Sequence, residues 1–330
     1  MSKDMMAAFE LYQPDSVDGA IELLREAGDS GWALAGGNDS LDWFKDRVKR
    51  PGTVVDLSGL DELKGVRELP DGSIEIGALT TLTDVENNAL IRERYSLLAD
   101  AAGRVASPQI RNVGTLGGNL CQDTRCWYYR YGVDCYRAGG DSCYADSPQG
   151  QNREHCLWGA DRCVAVSPSD TAPAMVALDA RMVVRNADGD REVAAEDFFI
   201  GPDIDIERMT ILEPGEILTA VRLPAEWAGA RFYFEKVADR NVWDFALVSI
   251  AAAMVVNGDT IDRIRIAAGA VECVPRRLSA VENAATGQPK SEATAQVAGQ
   301  VAVRGATPLN FNHFKVPLLQ NLVTRAIRDA

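Results

Sequence analysis

Histidine is nearly absent, with two residues in 330, His155 and His313. That excludes a zinc site of three histidines and any chemistry built on two close imidazoles. A cationic surplus is absent too. Lys and Arg number 34 against 48 Asp and Glu, a net charge of −14, so no basic face is expected for nucleic-acid phosphates or an anionic membrane surface. No stretch reaches the ~20 consecutive apolar residues of a membrane-spanning helix. The opening segment MSKDMMAAFELYQPDS has no apolar core followed by a small-residue cleavage site. Seven cysteines, an odd count, without a secretory signal point to a reducing compartment, the cytoplasm, and away from disulfides. The signatures G-x-G-x-x-G, the Walker loop and C-x-x-C are all missing, which removes the standard Rossmann and P-loop readings and weakens a zinc ribbon.

What is present concentrates between Arg111 and Ala174. A glycine pair, Gly117-Gly118, runs into a segment holding six of the seven cysteines: Cys121, Cys126, Cys135, Cys143, Cys156 and Cys163. Glycine pairs admit an anionic ligand close to the backbone, because no Cβ intervenes. Clustered thiolates hold soft metals or iron–sulfur clusters, and a four-iron cluster needs four thiolates but no fixed local turn. The competing reading is a structural zinc site or spare buried thiols. Cys273, far off in sequence beside Val274-Pro275, reads as packing. Trp127, Tyr128, Tyr129, Tyr131, Tyr136, Tyr144 and Trp158, with Arg125, Arg130 and Arg137, crowd the same segment. On an acidic chain they read as a shield around a cofactor, with arginines offsetting its charge, rather than as a stack for bases. His155 reads as an ordinary loop histidine, with a ligand role as the sharper alternative.

The length gives a prior of about two domains, at roughly 100–200 residues each, and 46% hydrophobic with 25% charged residues is an ordinary globular composition. Ser16 caps an amphipathic helix carrying Val17, Ala20, Ile21 and Leu24, and Gly28 stops it. Trp32–Ala35 is a short strand ending in a second glycine pair, Gly36-Gly37, before a short helix around Trp43-Phe44, and Thr53–Leu57 is another strand. Asp71-Gly72 signals a hairpin into Ile74–Ile76. Thr81–Asn88 and Arg92–Val105 are predicted helices, the second ending before Ser107-Pro108. The cysteine segment has no period and is expected to be an insertion loop. Asp170–Leu178 reads as a capped helix, Met182–Arg185 with Asp188-Gly189 as a hairpin, and Ile217–Leu223 as a strand. Beyond Pro224 a meander of Arg231–Val237, Phe245–Val256 and Ile261–Ile266 is followed by helices at Ser291–Val303 and Val316–Ile327. Together the two glycine pairs point to two loops converging on one diphosphate. Ser169-Asp170 is first a capping pair, then a carboxylate for a ribityl or ribose hydroxyl. Lys236 either snorkels from a strand or faces a reduced flavin ring.

Five segments taken in order, LAGGNDSL (34–41), TLGGNL (115–120), SPSDTAPAMVALDA (167–180), EPGEILTAVRLP (213–224) and FEKVADRNVWDFALVSIAAA (234–253), resemble the FAD-binding subunit of the xanthine oxidase family of molybdenum hydroxylases. The resemblance spans essentially the whole chain. RCWYYR, DC, GDSC and ADRCVAV are similar to the flavin subunit of 4-hydroxybenzoyl-CoA reductase, and GQNREH to that of periplasmic aldehyde oxidoreductases; both carry an extra [4Fe–4S] cluster in this loop.

The resemblance implies an α+β fold: a two-lobed FAD-binding domain of the vanillyl-alcohol-oxidase type over 1–226 (lobes about 1–58 and 59–226, with the iron–sulfur insertion at 121–163) and a smaller α+β C-terminal domain of the CO dehydrogenase flavoprotein type over 227–330. It assigns FAD to Ala35, Gly36, Gly37, Asn38, Asp39, Ser40, Leu41, Thr115, Gly118, Asn119, Asp170, Leu218 and Lys236. Cluster ligands fall on Cys126, Cys135, Cys143 and Cys163, with Cys121 an alternative to Cys126 and Cys156 to Cys163. Asn38 stands where many relatives carry threonine, a change that backbone contacts tolerate. The implied partners are a large subunit holding the molybdenum cofactor, a small subunit with two [2Fe–2S] clusters, and ferredoxin or another carrier. No residue pair supplies substrate acid–base catalysis, in keeping with an electron relay. A stand-alone FAD reductase using NAD(P)H and a zinc-stabilised scaffold subunit are the rivals.

Overall fold

The computed structural model describes residues 5–330. Three β-sheets organise them. The first has the parallel strands Glu10–Tyr12, Thr53–Asp56 and Gly31–Leu34, with Thr53–Asp56 in the middle. The helix Val17–Ala27 covers it, started by Ser16, whose Oγ accepts from the Gly19 N–H, and closed at Gly28 with φ +52°. Its buried stripe of Val17, Ala20, Ile21 and Leu24 meets Val55 and Leu57 in one apolar cluster, the packing a 3.6-residue period dictates.

The second sheet is antiparallel, in the order Val66–Glu68, Ile74–Gly77, Ile217–Leu223, Arg181–Asn186, Gly189–Ala194. Its inward residues Ile74, Ile76, Met182, Val184, Val221 and Leu223 join the helices Leu82–Asn87, Ser96–Gly103 and Ala172–Ala177 in the largest core. The third sheet runs Arg276–Arg277, Thr260–Gly269, Val248–Asn257, Arg231–Val237, also antiparallel. Alternation sends its two faces to different cores. Ala251, Ala253 and Ala267 face the large core. Ile250, Ala252, Met254 and Ile266 face the helices Ser279–Ala285, Glu292–Ala302 and Lys315–Asp329. This mixture of helix and sheet is the expected α+β class. Among the described residues no helix is long and apolar enough to cross a membrane.

Three expected elements differ. The helix read over Arg92–Val105 is two helices, Ala89–Arg94 and Ser96–Gly103, broken at Tyr95 (φ −143°, ψ 51°). Tyr95 is fully buried and its hydroxyl donates toward the carbonyls of Leu223 and Pro224, so a tertiary partner overrides the local helical pattern. The strand read from Phe245 begins at Val248, and the helix read from Asp170 begins at Ala172.

Between residues 121 and 163 the chain forms only the turn of helix Trp127–Arg130 and the 3-10 turn Tyr136–Ala138, as a period-free sequence predicts. Long-range bonds hold it instead. Lys315 is completely buried, and its Nζ donates to the carbonyls of Glu154 (2.9 Å), His155 (2.9 Å) and Ala270 (2.8 Å). Asn312 Nδ2 adds bonds to the carbonyls of His155 and Cys156. Lys315→Met removes the lysine donor from the Glu154 and Ala270 carbonyls and leaves the His155 carbonyl with Asn312 alone, at about 1–3 kcal/mol per unpaired group, partly offset because no ammonium is then desolvated. We expect a net loss of about 3 kcal/mol, read as a lowered thermal midpoint and as new proteolytic cuts within 121–163.

Candidate functional site

The two glycine pairs meet. A cleft of two adjoining chambers, about 140 and 360 Å³, lies between the loop 35–42 and the segment 114–123. Ala35, Gly36, Gly37, Asn38, Asp39, Ser40, Thr115, Gly118 and Asn119 line the inner chamber, and Leu41 and Asp170 the outer one. Eleven of the thirteen residues assigned to FAD by resemblance are therefore at one cleft. A Cβ on Gly36 would stand 2.2 Å from the Val113 carbonyl oxygen, so only glycine lets the two loops approach this closely. Gly37 has φ +75°. Among the described residues the N–H groups of Gly37, Asn38 and Asp39 have no protein acceptor, which suits them to a phosphate.

Across the cleft, Thr115 Oγ1 accepts from the Gly118 N–H at 3.0 Å and starts the short helix Leu116–Leu120. Gly117, next in the pair, serves the packing instead: its N–H donates to the Ala78 carbonyl and a Cβ there would meet Ala78 at 2.8 Å. Asn119 is buried, and its Oδ1 accepts from Ser169 Oγ (2.8 Å) and Thr171 Oγ1 (2.6 Å). Its NH2 group remains as a donor at the cleft wall. Ser169 Oγ also accepts from the N–H of Ala172, the first residue of the helix, at 3.1 Å, so Ser169 rather than Asp170 bonds the helix start, and Asp170 is released for another role.

Asp170 pairs with Lys236 at 2.6 Å, and both side chains are about 95% buried. Lys236 does not snorkel; it also donates to the Arg104 carbonyl and lines a separate hollow with Arg92, Asp100 and Arg104. Burial raises the Asp170 pKa and Lys236 pulls it back. Removing the cation by Lys236→Met strands a buried carboxylate, worth about 3–5 kcal/mol near neutral pH. With a folded pKa above the unfolded 3.8, that penalty is fully relieved below the unfolded value and grows as pH rises through the folded one. Thermal melts between pH 4 and 8 should show the variant's deficit shrinking toward acid, and Asp170→Asn in the same chain should remove the pH dependence.

Leu218 is placed elsewhere. It is 5% exposed, paired with Val184 in the middle of the second sheet, and part of the large core.

Cys126, Cys135, Cys143 and Cys163 line one small cavity with Tyr128, Tyr129, Arg137 and Arg162. Cys121 lies instead at the inner chamber of the cleft, and Cys156 is buried outside the cavity. Among the described residues no three His, Cys, Asp or Glu side chains converge closely enough to hold a single ion. Burial pushes the Cys126 thiol up to about 12 and raises Cys143 despite backbone N–H groups of Asp146 and Val164 aimed at its sulfur. Arg137, almost wholly buried, donates to the Glu207 carbonyl at 2.7 Å and reaches Cys273 Sγ at 3.6 Å. His155 Nε2 lies 3.4 Å from Cys126 Sγ; burial, with Lys315 and Arg125 nearby, brings its pKa down to about 4 and keeps the ring neutral.

A chain of contacts that residue spacing did not disclose links the cleft to the cysteine cavity. Asp39 Oδ2 accepts from Trp43 Nε1 and Oδ1 from Arg130 Nη2, both at 2.9 Å. The Arg130 guanidinium lies 4.2 Å over the Trp43 ring, and Trp43 packs on Tyr129 with centroids 5.3 Å apart. Nor does spacing mark Trp243: it is 62% exposed at the outer chamber, has φ +74° and donates its N–H to Ala106. A non-glycine residue at positive φ is a signal that only the backbone gives.

Residues 7–226 match the FAD binding domain in molybdopterin dehydrogenase, and residues 233–330 the CO dehydrogenase flavoprotein C-terminal domain. The chain is 33% identical over 301 residues to the aldehyde oxidoreductase FAD-binding subunit of Escherichia coli, covering 90% of each. It is 28% identical to the carbon monoxide dehydrogenase medium chain of Hydrogenophaga pseudoflava, covering 98% of this chain and 96% of that one. The solved structure of the Hydrogenophaga pseudoflava carbon monoxide dehydrogenase lacking the Mo-pyranopterin moiety superposes with a TM-score of 0.77 at 28% identity, over 98% of this chain and 97% of that one. With a matched model over two thirds of its length and a cleft of acceptor-free amides inside the matched part, the chain belongs to the family of FAD-binding medium subunits of molybdopterin dehydrogenases.

Proposed function

We propose that this chain is the electron-transfer subunit of a molybdenum hydroxylase complex, carrying FAD in the cleft and a [4Fe–4S] cluster on Cys126, Cys135, Cys143 and Cys163. The observation that carries the reading is that four cysteines scattered over 38 sequence positions line one cavity, and that Tyr129 of its lining packs on Trp43, which with Arg130 anchors the cleft loop through Asp39. When bound, FAD exchanges electrons in pairs or singly and an iron–sulfur cluster exchanges them singly.

The chain's own residues bind, orient and exclude water. The amides of Gly37, Asn38 and Asp39 and the side chain of Asn119 would take the diphosphate, and the Asp170–Lys236 pair would fix the ribityl and ring end. Asp39 commits its carboxylate to Trp43 and Arg130 and so offers the ligand only backbone. Four cysteines set around one cavity supply the four thiolates that a cubane needs. Arg137 supplies positive charge beside the thiolates. The partners would be a large subunit with the molybdenum cofactor, a small subunit with two [2Fe–2S] clusters, and an external carrier such as ferredoxin. In support, the related chains are named as a medium chain and an FAD-binding subunit. We place the division between the two domains near residue 226.

The purified complex tests this by flavin and metal analysis. About eight irons per FAD are expected, four beyond the ~4 of two [2Fe–2S] clusters. Four irons per FAD, or zinc in their place, would remove the cluster; an NAD(P)H-dependent reductase activity of this chain alone would favour a stand-alone enzyme.

A further inference from the structure

The imidazole of His155 is enclosed inside the insertion, with no exposed surface. Its Nε2 stands 3.4 Å from Cys126 Sγ, while Nδ1 is buried with no partner. The backbone on either side of the ring is fixed: the His155 N–H donates to the Asn152 carbonyl at 3.1 Å, and its own carbonyl accepts from Lys315 Nζ and Asn312 Nδ2. Tyr128 packs at a tilt, with ring centroids 6.5 Å apart. The ring is thus held by its neighbours and has a single polar partner, a sulfur.

We infer that His155 is a positioning residue for the cluster, its Nε2–H donating to the sulfur of Cys126 and setting the reduction potential. The inference rests on Cys126 being a cluster ligand. An iron-bound thiolate has no proton to give, so a bond across this contact runs from nitrogen to sulfur. Nδ1, with no acceptor in reach, offers no competing place for the proton. Hydrogen bonds to cluster sulfurs favour the more negative, reduced state and are among the protein's means of setting the potential. A histidine that only filled space would be replaceable by leucine without electronic effect.

The test is a redox titration of the intact complex, following the cluster's EPR signal. The bond is stronger to the more negative, reduced cluster, so His155→Leu should lower the reduced-to-oxidised ratio at fixed potential several-fold, with iron content and the flavin's titration unchanged. His155→Gln, which keeps a donor, should recover part of the shift. An unshifted midpoint in His155→Leu with full iron overturns the inference. If His155→Leu loses iron, pulsed EPR of the unaltered complex grown with 15N-histidine decides: one weakly coupled histidine nitrogen supports it. No coupling overturns it, and a strong coupling of a directly bound nitrogen replaces it with ligation. An unaltered complex without the cluster's irons overturns the reading of the cysteine cavity, and this inference with it.

Discussion

Gly36→Ala should strip the complex of flavin. The added Cβ would lie 2.2 Å from the Val113 oxygen and 2.9 Å from its carbonyl carbon, and neither is the yielding end of a side chain. The loop must back away, carrying the amides of Gly37, Asn38 and Asp39 with it. Loss of two hydrogen bonds to a charged phosphate costs about 3–6 kcal/mol, or a fall in affinity of roughly 10²- to 10⁴-fold. The flavin-to-protein absorbance ratio of the purified variant measures it, with circular dichroism to show that the fold persists. Gly59→Ala is the control, because a Cβ there meets nothing within 4 Å. Flavin retained in full by Gly36→Ala would mean that the 35–41 loop does not hold the diphosphate. Gly117→Val is a different experiment, since it presses on Ala78; it should lower stability first and flavin content only as a consequence.

Cys135→Ser should remove about half of the iron, the share of one four-iron cluster beside two [2Fe–2S] clusters, while FAD stays. Serine is nearly isosteric but a poor ligand for iron, and Cys135 lies at the cavity, away from the cleft lining. Cys121→Ser and Cys156→Ser, whose side chains are outside the cavity, should keep their iron. Metal analysis and the EPR spectrum of the reduced complex read all three. Unchanged iron in Cys135→Ser, or lost iron in Cys121→Ser, would show that the ligand set is misassigned.

Much of this was legible in the chain because it is local. The helical stripe from Val17 to Leu24 and the hairpin at Asp188-Gly189 come from period and turn chemistry alone. The two glycine pairs were readable as a matched pair of loops. What was not legible depends on distant partners. The break at Tyr95 is set by carbonyls more than 125 positions away. Nothing near Leu218 says that its side of the strand faces the core, because a one-residue shift exchanges the faces and a bulge at Val183/Val184 resets the register. The link from Asp39 to Arg130 spans 91 positions. Sequence distance likewise hid the pairing of Lys236, itself named as a candidate, with Asp170, 66 positions earlier.

Lys315 has a bearing on biogenesis. The carbonyls it grips, at Glu154 and His155, are made some 160 positions before it. During synthesis the cysteine segment emerges early and stays unclasped until the last helix follows. Anything delivered to those thiols has that interval in which to enter, and the closing helix then works as a latch that is fastened last.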